Sequence, residues 1–177
     1  MGCGKKRCRE SSSHHDVQRH DGCICEVVET ILELQNHAHH EEDCTCGTSC
    51  FLEPLGGINR PHRHHADTRV FMLLNSDGTP FKVLYYDKEN GWFETHYFRV
   101  EDVFGDCCAT LRAVKPVEES ENGEGNPIPL YQDGILDFDA LNEICNFKKT
   151  ENCVTVDLSR FAAIQCIADV NLKIKKC

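Results

Sequence analysis

From residue 69 onward the chain is cut into short apolar runs, and this constrains its fold more than any other feature. The runs occupy 69–74, 81–86, 92–100, 107–114, 135–138, 153–158 and 162–167, and they are rich in β-branched and aromatic residues. Such runs suit strands, which bury side chains on a pleated surface. Ser76-Asp77-Gly78 is a turn signal that predicts a hairpin between the first two, and Glu89-Asn90-Gly91 is a second. The segment from Glu118 to Pro129 holds acidic residues, glycines and two prolines, and divides the runs into two groups. Only one stretch has helical periodicity. It starts at Asp21-Gly22, places Val27, Val28, Ile31, Leu32 and Leu34 against Glu26, Glu29 and Glu33, and is expected to end between Asn36 and His40. The prediction is therefore a mainly β chain: an antiparallel β-sandwich or jelly-roll-like domain preceded by one N-terminal α-helix. The stripe of that helix must cover either the main domain or the same helix of another copy.

This reading divides the chain into a polar His-, Ser- and Cys-rich arm at 1–21, expected to be disordered, a helix with a cysteine cluster at 22–50, and a β domain at 51–177. An acidic loop at 115–134 interrupts the last, and no internal repeat is evident. A chain of 177 residues can bury a core without covalent staples.

The chain nevertheless carries thirteen cysteines, so internal pairing must leave at least one over. The start, Met1-Gly-Cys-Gly-Lys-Lys-Arg-Cys8, is basic but is not followed by an apolar stretch, which excludes an ordinary secretion signal. No run approaches the ~18 apolar residues of a membrane span. Synthesis in a reducing cytosol is expected, with oxidation following only on lysis. A net charge of −10 and a pI near 5.4 argue against nucleic acid and anionic membranes as partners.

Every cysteine is a candidate for a structural bond or a cross-link. Cys3, Cys8, Cys23, Cys25 and Cys177 lie at or near the ends, where a sulfur reaches a neighbour with few geometric demands. Cys23 and Cys25, Cys44 and Cys46, and the adjacent Cys107 and Cys108 are too close in sequence to pair without strain, so each seeks a more distant partner. On a strand, Cys107 and Cys108 face opposite sides, one inward and one outward. Cys145, Cys153 and Cys166 sit among strand residues, where an inert buried thiol is expected for some. Cys50 completes the set.

The competing chemistry is zinc. His37, His39, His40, Cys44, Cys46 and Cys50 fall within fourteen residues, but only Cys46-x₃-Cys50 has the spacing of a structural site. The alternative ligand set is thus His37, His39, His40, Cys46 and Cys50. No phosphate-binding glycine loop, G-x-S-x-G elbow, H-E-x-x-H or C-x-x-C motif occurs, so neither an enzyme nor a cofactor is expected.

Several stretches resemble the cysteine-rich spore coat and exosporium proteins of the CotY/CotZ (ExsY-like) family. They run from Cys23-Ile-Cys-Glu-Val-Val-Glu-Thr-Ile-Leu-Glu-Leu-Gln35, through Cys44 to Cys50, to Phe98-Arg-Val-Glu101 and Cys107-Cys-Ala-Thr-Leu111. They continue in Lys149-Thr-Glu-Asn-Cys-Val-Thr-Val-Asp-Leu158 and close with Phe161-Ala-Ala-Ile-Gln-Cys166. The resemblance implies a structural protein of the outer spore layer, coat crust or exosporium, made in the mother-cell cytoplasm. It further implies homo-hexamers, a lateral hexagonal lattice, attachment to other coat proteins, and disulfides that make the array insoluble. Cys23, Cys25, Cys44, Cys50, Cys107, Cys108, Cys153 and Cys166 stand at matching positions. Relatives often carry further cysteines where this chain has Arg160 and Ala162, and the His62–His65 insertion and terminal Cys177 are particular to it.

Overall fold

The computed structural model describes residues 23–36, 50–51, 53–58, 65–119 and 125–174. Helix α1 covers Cys23–Asn36. Its buried positions, Ile24, Cys25, Val28, Ile31 and Gln35, follow the helical period, and the stripe is continued by Gln35 rather than by the half-buried Leu34. The stripe packs on the chain's own sheet and a 3₁₀ turn at Leu158–Arg160, which decides between the two partners left open by the sequence.

The sheet has five antiparallel strands. In chain order they are β1 (Thr68–Leu74), β4 (Phe98–Phe104), β5 (Cys108–Val117), β8 (Asn146–Asp157) and β9 (Ala163–Val170). Their spatial order is β8-β5-β4-β1-β9, so β8 and β9 are the edges. The remaining strands form two hairpins, β2 (Val83–Asp87) with β3 (Gly91–Thr95), and β6 (Tyr131–Gln132) with β7 (Ile135–Leu136). The chain is thus mainly β with one N-terminal helix and antiparallel sheets, in keeping with a sandwich.

Some expectations change in extent. The Ser76-Asp77-Gly78 turn forms, with Gly78 at φ +82° and its N–H donating to the Asn75 carbonyl. It closes a short hairpin in which Leu74 bridges Pro80 and the Phe81 N–H donates to the Leu73 carbonyl, but the pairing does not extend to β2. β1 instead lies between β4 and β9, while β2 pairs with β3 across Asn90-Gly91. The run at 135–138 is not one strand: β7 ends at Leu136 and helix α2 (Phe138–Asn142) begins. Asp137 caps that helix by accepting from the N–H groups of Asp139 and Ala140, a local bond that stops an extended chain and starts a helical one.

Adjacent residues divide between two cores. Phe71, Phe98, Leu111 and Val156 join Val28 and Ile31 beneath α1. Val70, Tyr97, Val114, Phe147 and Val170 join Ile128 and Leu130 in the other. Period-two alternation sends neighbours to opposite faces, and each large side chain buried contributes about 1.5–3 kcal/mol.

Candidate functional site

The first group of cysteines is closed within the chain. Cys25 on α1 bonds Cys107 with 5.7 Å between their Cα atoms, and Cys50 bonds Cys166 on β9 with 5.4 Å. Both separations lie in the ordinary disulfide range. Cys25, Cys107 and Cys166 are buried in the core beneath α1. Cys107 lies just before β5 with φ +88°, a backbone region that L-residues seldom occupy. Its carbonyl accepts from the Leu158 N–H, so bond and turn together hold it. Cys107 is therefore buried and bonded, while Cys108, the first residue of β5, is half-buried with a free thiol.

A buried ion pair sets the position of Cys50. Arg69 on β1 and Asp169 on β9 are both fully buried, joined by Nε–Oδ1 at 2.8 Å and Nη2–Oδ2 at 2.9 Å. The remaining guanidinium hydrogens go to the carbonyls of Cys50 (3.0 Å), Glu53 (2.8 Å) and Pro54 (2.8 Å). From the other side, Asp169 Oδ2 accepts the N–H groups of Gly56 and Ile58. The planar guanidinium thus gathers the carbonyls of one turn while its carboxylate partner gathers that turn's N–H groups. Gln35 extends the network, accepting from the Arg69 N–H and donating to the Val100 carbonyl. Sequence reading missed this hub; its only signal is a charge placed inside an otherwise apolar strand at Arg69 and again at Asp169.

The second group is open. Cys145 immediately precedes edge strand β8 and Cys153 lies within it, and both are exposed free thiols. Neither is the inert buried thiol expected of some strand cysteines, and Cys166 is buried but bonded. Cys153 pairs in register with Arg112 on β5, whose guanidinium bonds Glu101 at 2.6 Å and the Thr150 carbonyl at 2.7 Å. Partial burial pushes the Cys153 thiol up, against the smaller opposing pull of Arg112. It is accordingly a thiol at neutral pH, and its nucleophilic form grows as the medium becomes alkaline.

Of the other candidates, Cys3, Cys8, Cys44, Cys46, Cys177, His37, His39 and His40 lie outside the described residues, as does the side chain of Cys23. Among the described residues no group of three or more His, Cys, Asp or Glu is placed to hold a metal ion. The zinc alternative also loses Cys50, whose sulfur is bonded to Cys166. His96 is buried against the Tyr131 hydroxyl, 2.8 Å from its Nδ1, and burial holds the imidazole down at about 4.

A family model described as Spore coat protein Z matches residues 8–169. The chain belongs to the spore coat protein Z family. The match takes in both internal disulfides and the two exposed thiols, and leaves Cys3 and Cys177 outside. Within that family, Spore coat protein Z of Bacillus subtilis (strain 168) is 33% identical over 156 residues, covering 85% of this chain and 91% of the relative. No solved structure matches.

Proposed function

We propose that this member of the spore coat protein Z family is a structural, non-catalytic component of the outer spore layer, coat crust or exosporium. Copies associate as hexamers and then laterally into a two-dimensional hexagonal array, which disulfides between copies lock. The chain is made in the mother-cell cytoplasm and meets other coat proteins at the spore surface. The observation that carries this reading is the division of the thiols. The internal pairs leave Cys145 and Cys153 exposed along an edge strand, where a neighbouring chain has access. Each bond between copies joins two thiols as two protons and two electrons pass to an oxidant such as dissolved oxygen. Contacts without covalent bonds must come first, because untemplated oxidation of so many sulfurs gives a disordered gel.

Non-reducing gels and electron microscopy of the purified chain test this. Ladders that collapse to one band with reductant, together with ordered sheets, are expected. A soluble single subunit whose Cys145 and Cys153 alkylate fully after air oxidation would refute it.

A further inference from the structure

A groove of about 360 Å³ runs between the β2–β3 hairpin and the β5–β8 edge. Lys88, Lys115, Lys148 and Lys149 line it together with Asp87, Glu89 and Glu151, a lysine surplus on a chain whose net charge is −10. Lys115 and Lys148 are partners in the β5–β8 register, and like charges directly opposite destabilise a sheet unless an anion lies over them. Asp87 covers Lys115. Lys88, Lys148 and Lys149 have no carboxylate partner among the described residues, and Glu151, also on the wall, is 3.9 Å from Arg112. On the hairpin side, Tyr86 lines the groove and stacks obliquely on Trp92, which is 65% exposed, and Leu84 lies on the same outer face.

The complementary surface is on the same chain, elsewhere. Glu26, Glu29 and Glu33 form one exposed stripe of α1, at spacings of three and four residues, and none has a cationic partner among the described residues. The helix rests on β4, β1 and the 3₁₀ turn, whereas the groove is built on β8 and the hairpin. Two complementary patches at different places on one molecule meet only between copies, head to tail, and a contact of that kind propagates into rings or extended arrays.

We propose that the α1 face bearing Glu26, Glu29 and Glu33 of one copy seats in the Lys88, Lys148 and Lys149 groove of a second copy. This rests on the self-association reading and names the surfaces that bring copies together before any sulfur is oxidised. Tyr86 and Trp92 lie at the mouth of the contact and lose water as it closes.

The test uses the full chain with its exposed thiols alkylated, so that association is read without new disulfides. By sedimentation velocity the wild type associates, and raising salt past the point where the Debye length falls to about 3 Å weakens it at least about tenfold. Lys88→Glu/Lys149→Glu and Glu29→Lys/Glu33→Lys each weaken association by at least about tenfold, with unchanged melting temperatures. The second pair is the stringent one, because it lowers the net negative charge and relieves general repulsion. An equimolar mixture of the two variants associates again, and the emission of Trp92, the one tryptophan of the chain, moves to shorter wavelength. If the wild type associates and both variants do so equally well, or the mixture fails to recover, the groove contact is wrong and lateral assembly stands. If the alkylated wild type stays monomeric while the untreated chain still cross-links, the contact is likewise wrong. If neither form associates, the assembly reading falls with it.

Discussion

The two edges of the sheet show what becomes of a cysteine when its surroundings differ. On the β9 side, Cys166 meets Cys50 because a buried ion pair holds the 50–58 turn against the strand, and Cys25 meets Cys107 under the helix. On the β8 side, Cys145 and Cys153 are exposed and unbonded among the described residues. The same side chain stabilises the fold at one edge and is left available at the other. Burial and the positioning of a partner make the difference, not cysteine chemistry.

This contrast is open to direct attack. The largest effect is expected from removing a staple: Cys50→Ala/Cys166→Ala opens a loop of 116 residues and should cost about 4 kcal/mol in denaturant titrations. A loss below about 1 kcal/mol would mean that the bond is incidental to the fold. Next comes Arg69→Met, which leaves Asp169 buried without a cation. A cost of roughly 3 kcal/mol and a melting temperature lower by about 10 °C are expected. The double change Arg69→Met/Asp169→Leu should recover only part of it, since it removes the stranded charge but leaves the carbonyls of Cys50, Glu53 and Pro54 and the N–H groups of Gly56 and Ile58 without those partners.

A smaller effect depends on pH. Burial lowers His96 from 6.5 to about 4, so as acid is added the unfolded chain takes up its proton first. The stability due to the neutral imidazole is therefore complete above pH 6.5 and is lost between about 6.5 and 4, on the order of 2–3 kcal/mol. The wild type minus His96→Gln difference should carry this slope, and parallel curves in that window would contradict it. The smallest effect on folding belongs to Cys145→Ser/Cys153→Ser, within about 0.5 kcal/mol of wild type. That pair should still remove most of the bands between copies on non-reducing gels. An unchanged ladder would move the cross-links to Cys3, Cys8, Cys23, Cys44, Cys46, Cys108 or Cys177.

Local patterns were legible in the sequence, and distant partners were not. The helix was visible because apolar residues recur at its period, and β2–β3 because Asn90-Gly91 supplies a turn in which Gly91 takes φ +91°. Ser76-Asp77-Gly78 signalled a turn as plainly, but the hairpin it closes stops at Leu74–Pro80, and the long partner of β1 is β9, nearly a hundred residues on. Residues 92–100 read as one strand because no glycine or proline interrupts them, yet the chain breaks at His96 and Tyr97, and β3 and β4 enter different sheets. Arg69 and Asp169 escaped the sequence reading because the backbone groups that they gather belong to a turn distant in sequence from at least one of them. Disulfide connectivity was closed to sequence reading for the same reason, since it depends on which distant segments meet.

Asp67 accepts the N–H groups of Leu172 and Ile174, which moors the chain just past its last strand. Two residues separate that mooring from Cys177, and an extended backbone advances at most about 3.6 Å per residue, so covalent geometry alone keeps the Cys177 Cα within roughly 11 Å of that of Ile174. Any molecule that it captures must already be alongside the β9 end, which makes Cys177 a proximity probe for whatever neighbour occupies that flank.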